Sequence, residues 1–165
     1  MLQYTSVINC IFNTRNYYGN KNYVSVEVEQ QHNKNKEREV SIMKKLVTDK
    51  APAAIGPYSQ AIEINGMVFT SGQIPVNPAT GEIAATVEEQ AEQALKNVAA
   101  VLAAAGTGME NVIKTTVFIK EMNDFGKINE IYAKFFTGAY PARSCVEVAR
   151  LPKDVLIEVE AIATK

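Results

Sequence analysis

The chain has 165 residues, of which 47% are hydrophobic and 21% charged, a composition typical of one folded globular domain. Its formal net charge is -1 at pH 7, so charge gives no support for a nucleic-acid partner or an anionic membrane surface. No apolar run approaches the roughly 20 residues that span a bilayer, and we expect no membrane partner.

The first 42 residues differ in composition from the rest of the chain. They are rich in Asn, Tyr, Gln and Lys and show no sustained core pattern, although Tyr23 to Val28 is compatible with a short strand. We predict a non-domain extension over residues 1–42 and a single domain over 43–165. Our preferred hypothesis is that translation starts at Met43, because Arg38-Glu39-Val40 can be encoded by a bacterial ribosome-binding sequence; a disordered extension is the alternative.

The same segment bears on localisation. It has neither the apolar stretch nor the small-residue cleavage site of a secretory signal, so we expect a cytoplasmic protein. Its first acidic residue is Glu27, but its basic residues are sparse. A mitochondrial location is the alternative if the source is eukaryotic and the extension is a presequence.

The residue inventory of the predicted domain restricts its chemistry. The single histidine, His32, and one of the two cysteines, Cys10, precede Met43, which leaves Cys145 as the domain's one cysteine. This inventory excludes a Ser/His/Asp triad, a Cys/His dyad, an internal disulfide and a zinc site built on histidine or several cysteines. An all-carboxylate metal site has no motif to support it, so we expect no metal and no cofactor.

The first half of the domain contains clear local signals. A strand is predicted over residues 44–47, and Asn65-Gly66 between two apolar runs predicts a hairpin spanning residues 60–71. Thr86 and Glu89 have capping-box spacing, and Gly106 is suited to a helix stop, which together predict a helix to about Ala105. Its apolar residues follow helical spacing and are read as core: Ala91, Ala94, Leu95, Val98, Leu102 and Ala105.

A buried-type strand over residues 112–120 comes next, followed by a second helix from about Asn123 to Phe136. That helix has an apolar stripe formed by Phe125, Ile128, Tyr132 and Phe135. Asn129 lies beside the stripe, and an isolated helical Asn is usually solvated or locally capped.

The last segment pairs β-type runs with unusual charges. Residues 141–149 and 155–161 flank a polar, proline-containing break, which predicts a hairpin. Period-two alternation places Glu158 on a half-buried face, and Arg143 follows a proline that restricts the backbone. An arginine can bind a carboxylate in bidentate fashion, and a partly desolvated Glu can act as a general base or acid. On the pattern alone, however, an ordinary sheet-edge ion pair between Arg143 and one Glu, with water-facing carboxylates, is the favoured explanation.

Strands combined with two helices that cover one sheet face predict an α+β sandwich with a mixed sheet. The other face is apolar in pattern yet has no helix to cover it. That face is therefore predicted to be buried against another copy of the chain.

Three stretches in order resemble one family. They are residues 53–60 (AAIGPYSQ), 70–76 (TSGQIPV) and 141–163 (PARSCVEVARLPKDVLIEVEAIA). They resemble the reactive intermediate deaminase family, also called Rid or YjgF, and within it the RidA subgroup that hydrolyses enamines and imines. The likeness extends from about Met43 to Thr164.

The resemblance implies a chorismate-mutase-like fold assembled as a homotrimer, with sites between subunits. It implies cofactor-independent hydrolysis of 2-aminoacrylate, 2-iminopropanoate and 2-iminobutanoate to 2-keto acids and ammonia. By matching position, Arg143 would hold the substrate carboxylate and Glu158 would orient or activate water. The remaining implied substrate contacts are Tyr58, Ser71, Gly72, Asn129 and the backbone near Cys145.

Several readings remain open at this point. A module that binds a small carboxylate metabolite would use the same Arg143 clamp without turnover. An endoribonuclease-type translation inhibitor ranks lower, because the domain lacks histidine and a basic bias. Cys145 as a nucleophile is less favoured, because no histidine is available to activate it. The connection Thr137 to Tyr140 is shorter than in many relatives and leads into Arg143, so substrate preference is expected to differ.

Overall fold

The computed structural model describes residues 42–165, and the expectations for residues 1–41, including the strand at 23–28, lie outside that part. The domain boundary at Met43 accordingly stays a prediction. The described strands are β1 (Lys44–Leu46), β2 (Ala61–Ile64), β3 (Met67–Thr70), β4 (Val112–Ile119), β5 (Ala142–Glu147) and β6 (Ile157–Thr164). The α-helices are α1 (Val87–Ala105) and α2 (Phe125–Phe135). Among residues 42–165 no helix is long and apolar enough to cross a bilayer.

The six strands form one mixed sheet in the order β1-β2-β3-β6-β4-β5. All neighbouring pairs are antiparallel except β4 and β5, which are parallel. Parallel neighbours need a crossover, and α2 supplies it. The predicted α+β architecture with a mixed sheet is confirmed.

Local sequence signals determine the first hairpin. Asn65 and Gly66 both have positive φ, 51° and 72°, as a type I′ turn requires, and Glu63 pairs with Val68 across the hairpin. The predicted β2–β3 hairpin is confirmed.

The predicted hairpin of the last segment is wrong. β5 and β6 do not pair with each other, because β4 lies between them and pairs with both. The connection over residues 148–156 is long enough to pass β4. Two β-type runs around a short polar break therefore mimic a hairpin when a third strand separates them.

Helix α1 begins and ends where its capping residues predict. The Thr86 hydroxyl accepts a hydrogen bond from the Glu89 backbone N–H at 3.3 Å, and Gly106 adopts φ 82°, a left-handed cap. All six predicted core positions of α1 are buried. Alanine at Ala91 and Ala94 leaves room for the helix to lie close on the sheet.

The two faces of the sheet have different surroundings. The helix face includes Val117, Val159 and Ala161, each at most 2% exposed. The opposite face, called the open face below, is formed by alternate residues of the same strands and is only partly buried in a single chain. Its central positions are Phe69, Thr116, Phe118, Ser144, Val146, Glu158, Glu160 and Ile162.

Candidate functional site

Arg143 lies on the helix face of edge strand β5, under α2. Its backbone pairs with buried Thr115 of β4. Its guanidinium carbon is 4.7 Å from the ring centroid of Tyr132 and 5.4 Å from that of Phe125, which is cation–π distance. Arg143 forms no ion pair with any other residue of 42–165, so the structural ion pair allowed by the sequence pattern is absent from the described part of the chain.

The two rings hold the guanidinium at a defined place. The Tyr132 hydroxyl shares a 2.7 Å hydrogen bond with the Thr115 hydroxyl, and burial raises the pKa of that phenol. Phe125 was predicted to lie on the buried stripe, but 37% of it is exposed. Phe125 is the first residue of α2 and contacts Arg143, and sequence periodicity alone did not reveal either its exposure or this contact.

Asn129 and Cys145 lie on the same side of the sheet as Arg143. Asn129 is one helical turn after Phe125 and three residues before Tyr132, and its side chain has no hydrogen-bond partner among residues 42–165. Cys145 is two residues after Arg143 on the same strand face and packs against the core. Burial raises the pKa of the Cys145 thiol, although Arg143 opposes this, so the neutral thiol is favoured.

Glu158 lies on the open face of β6, paired with Phe118 of β4. Its side chain runs directly against the backbone of Gly72. A Cβ atom added to Gly72 would be 2.7 Å from the Glu158 carboxyl carbon, closer than real Cβ atoms approach. Burial first, and the neighbouring Glu160 second, raise the pKa of the Glu158 carboxyl above its ordinary value of 4.5.

Gly72→Ala should therefore displace the Glu158 carboxylate without altering the core. For the imine hydrolysis that the family resemblance implies, we expect kcat/KM to fall by about 10- to 100-fold, because a small misplacement of a group that orients or activates water is costly. Steady-state assays of keto acid release measure it. Gly126→Ala is the matched control, because its added Cβ meets nothing within 4 Å. Equal activity of the two variants would contradict the role given to Gly72.

Glu158→Gln should raise stability at neutral pH. At pH values above the raised pKa of the folded state, Glu158 is ionised in both the folded and the unfolded protein. The folded protein then bears the full cost of a half-buried charge, which glutamine does not carry. The gain should be below about 1 kcal/mol, since solvent screens a half-exposed group. It should shrink as pH falls through the folded pKa toward the unfolded value. Thermal unfolding of both proteins between neutral and acidic pH measures this, and a gain that grows on acidification would contradict it.

Tyr58 and Ser71 belong to the loop system beside Gly72. The Ser71 hydroxyl donates to the Ser59 carbonyl at 2.6 Å, and its backbone N–H donates to the Gln60 carbonyl at 2.9 Å. These bonds tie the Tyr58 loop to the end of β3. Tyr58 itself is 46% exposed.

Gln60 organises the loop preceding Tyr58, a role that sequence reasoning missed. The side chain is 3% exposed; its oxygen accepts from Thr48 N–H at 2.7 Å, and its nitrogen donates to Pro52 O at 2.8 Å. It also donates to the carbonyls of Thr48 and Ala51. A buried amide with every polar atom satisfied holds a loop firmly. The signal in the sequence that could have indicated this role is the position of Gln60 immediately before an apolar strand.

A cavity of about 210 Å³ adjoins these residues. Tyr58 and Gly72 are both part of its wall. The complete lining is Pro52, Ala53, Ile55, Tyr58, Gln60, Gly72, Gln73, Ile74, Val76, Asn77, Pro78, Gly81 and Lys153.

The predicted site residues thus form two groups within one chain. Arg143, Asn129 and Cys145 lie together between α2 and β5 on the helix face. The second group lies by the open face and the adjoining cavity: Tyr58, Ser71, Gly72 and Glu158. Because strand register places Arg143 and Glu158 on opposite faces of the sheet, one chain does not bring them to a common substrate.

Among residues 42–165 no group of three or more His, Cys, Asp or Glu side chains is arranged to hold a metal ion. An arginine can bind a carboxylate in bidentate fashion and a half-buried glutamate can exchange a proton, so the two groups together could do both.

Comparison with known proteins identifies the family. Residues 48–165 match the family model described as Endoribonuclease L-PSP. The 2-iminobutanoate/2-iminopropanoate deaminase of Escherichia coli K12 is 57% identical over 125 residues, covering 74% of this chain and 98% of that protein. This chain belongs to the Rid family. The resemblance found in the three sequence stretches is confirmed.

Solved Rid structures share the fold. The YjgF gene product of E. coli is 56% identical with a TM-score of 0.73, covering 74% of this chain and 98% of that one. E. coli TdcF, solved with bound serine, is 55% identical with a TM-score of 0.72 and the same coverage. RidA from an Antarctic Psychrobacter is 39% identical, with a TM-score of 0.72 over 74% and 99% of the two chains.

Proposed function

We propose that this protein is a cofactor-independent hydrolase of reactive enamines and imines. Its substrates are 2-aminoacrylate, 2-iminopropanoate and 2-iminobutanoate, and its products are 2-keto acids and ammonia. The observation that carries the proposal is the Arg143 guanidinium, held between two aromatic rings and not paired with a carboxylate among residues 42–165. The family assignment and the 57% identity to an imine deaminase support it.

Arg143 binds the substrate carboxylate. Its planar fork can donate two parallel hydrogen bonds to the two carboxylate oxygens, and the rings of Phe125 and Tyr132 keep the fork from rotating. The Asn129 side-chain amide has no hydrogen-bond partner in the described part of the chain, so it can donate a further hydrogen bond to the substrate carboxylate. Backbone groups at Cys145 on the edge strand complete the carboxylate site. The TdcF structure with bound serine shows that a relative binds a small amino acid.

Glu158 moves the protons. As the water oxygen attacks the carbon of the protonated imine, the Glu158 carboxylate accepts a proton from that water, which gives a neutral carbinolamine. Glu158 then returns this proton to the nitrogen, and the C–N bond breaks. Ammonia leaves as the carbinolamine hydroxyl gives its proton to Glu158 and the C=O bond forms, and the departing ammonia takes up that proton as ammonium. An enamine first gains a proton at its terminal carbon and loses one from nitrogen, giving the imine. Burial raises the pKa of Glu158, which makes its carboxylate a better proton acceptor than an ordinary glutamate.

Two copies of the chain complete each site in this proposal. One copy supplies Arg143, Asn129 and Cys145, and a neighbour supplies Tyr58, Ser71, Gly72 and Glu158. We propose a homotrimer in which the open face is buried. The partly exposed aromatic and aliphatic side chains of that face support the proposal: Phe69 is 41% exposed and Val146 43%.

The test measures the rate at which keto acid is released from 2-aminoacrylate generated in situ. We expect the rate with the protein present to exceed the rate of spontaneous hydrolysis. A folded, assembled protein that binds 2-keto acids yet gives no rate enhancement would favour the metabolite-binding module instead. The endoribonuclease role in the family description stays a lower-ranked candidate, since residues 42–165 contain no histidine to serve as general base. A cytoplasmic location remains a proposal consistent with this substrate class.

A further inference from the structure

The cavity beside Gly72 has one charged lining residue. Apart from the Tyr58 phenol, Lys153 is the one lining residue with an ionisable side chain. The remaining walls are mostly apolar, including Ile55, Ile74 and Val76. The lining of this cavity therefore includes one lysine and no acidic residue.

Each of the three amide side chains in the cavity wall makes at least one hydrogen bond to the backbone. The Gln60 nitrogen donates to three backbone carbonyls, and the Gln73 nitrogen donates to Ser71 O at 3.2 Å. The Asn77 oxygen accepts from Ala79 N–H at 2.9 Å. Lys153, in contrast, forms no ion pair with any residue of 42–165. The Lys153 charge is therefore not neutralised by a carboxylate of the described part of the chain.

The backbone places Lys153 in an unusual conformation. Lys153 and Asp154 both have φ 56°, in the left-handed region that residues other than glycine rarely adopt. Two hydrogen bonds from the Arg150 guanidinium to the Asp154 carboxylate, at 2.6 and 2.9 Å, hold the turn, as does the Asp154 N–H bond to Leu151 O at 3.1 Å. These contacts stabilise the strained turn that carries Lys153, and Lys153 is part of the cavity wall.

The cavity lies where the side chain of a substrate would extend. Gly72 is part of the cavity wall and also touches Glu158, the group that acts at the imine carbon in the proposed mechanism. The cavity's 210 Å³ equals the liquid volume of roughly seven waters, enough for a side chain of several non-hydrogen atoms.

We propose that this cavity receives the side chain of the 2-imino acid, and that Lys153 selects side chains ending in a carboxylate over those ending in a cation. This inference rests on the proposed imine hydrolysis and defines its substrate class. Imines of dicarboxylic amino acids are favoured, and those of arginine-like amino acids are rejected.

The experiment compares three imines generated in situ by amino-acid oxidases with catalase present: those of alanine, glutamate and arginine. The quantity measured is the ratio of kcat/KM for the glutamate imine to that for the arginine imine. Lys153→Glu should lower this ratio by about tenfold or more. The lysine attracts the side-chain carboxylate of the glutamate imine and repels the cation of the arginine imine, whereas a glutamate at this position does the reverse. Hydrolysis of the alanine imine, whose methyl group does not reach Lys153, should stay within about twofold. Lys153→Met, which removes the charge, should give an intermediate ratio.

Lys134→Glu is the matched control, because it makes the same charge change in the last turn of α2, outside the cavity. A ratio unchanged by both Lys153 variants, or changed equally by Lys134→Glu, would overturn this inference while leaving imine hydrolysis intact. If the unsubstituted protein hydrolyses none of the three imines, the proposed function fails and this inference with it.

Discussion

Arg143→Ala is expected to lower kcat/KM for 2-iminopropanoate by about 100-fold or more. The substitution removes a charged, bidentate contact to the substrate carboxylate, and losing one partner of such a pair costs about 3 kcal/mol or more. KM should rise because the clamp binds the carboxylate before the reaction, and kcat should fall because the clamp also positions the imine carbon for the attacking water. Keto acid release over a range of substrate concentrations measures both.

Three companion variants sharpen that experiment. Arg143→Lys keeps the charge but loses the planar fork, so it should recover part of the activity. Arg150→Ala removes the same charge from an exposed arginine that pairs with Asp154, and it should leave hydrolysis of this small substrate nearly unchanged. Cys145→Ala should retain much of the turnover, since its thiol performs no step. Full activity in a folded Arg143→Ala protein would reject the carboxylate clamp.

Mixing two inactive variants should restore activity. Arg143→Ala lacks the carboxylate clamp and Glu158→Gln lacks the proton acceptor, so each alone should be nearly inactive. If each site takes Arg143 from one copy and Glu158 from its neighbour, randomly mixed oligomers contain intact sites. With equal amounts of the two chains, about one site in four is intact, so activity should reach about a quarter of the unsubstituted value.

The mixing experiment requires chain exchange, which co-expression with two different affinity tags provides. Two controls accompany it: each variant expressed with itself, and the two proteins mixed after separate assembly. The oligomeric state of every sample is measured by light scattering. Mixed oligomers that stay as inactive as the parents would show that one chain supplies both residues, which would contradict the two-copy site.

The sequence predicted the fold well where the signals are local. The β2–β3 hairpin depends on two turn residues that accept positive φ, and α1 on capping groups within one turn of its ends. The alternation of β6 correctly separated Glu158 from the core residues Ile157 and Val159. The prediction failed for the last two strands, because nothing local to them indicates that β4 separates them.

The candidate site was predictable as a set of residues but not as an arrangement. Three motifs identified Arg143 and Glu158 through resemblance, and period-two alternation placed Glu158 relative to its own neighbours. Alternation within one strand does not say which face of the sheet another strand's residues occupy. The contact of Glu158 with Gly72 and the exposure of Phe125 likewise depend on elements far apart in the chain.

By itself, the sequence determined the helix ends, the first hairpin, the absence of histidine from the described domain, and the family to which the chain belongs. Only the tertiary structure decided the strand order, and with it the placement of Arg143 and Glu158 on opposite faces. The physical reason is the separation in sequence of the interacting residues. Turns and caps depend on hydrogen bonds within a few residues, whereas strand pairing depends on burial of the whole sheet against α1 and α2.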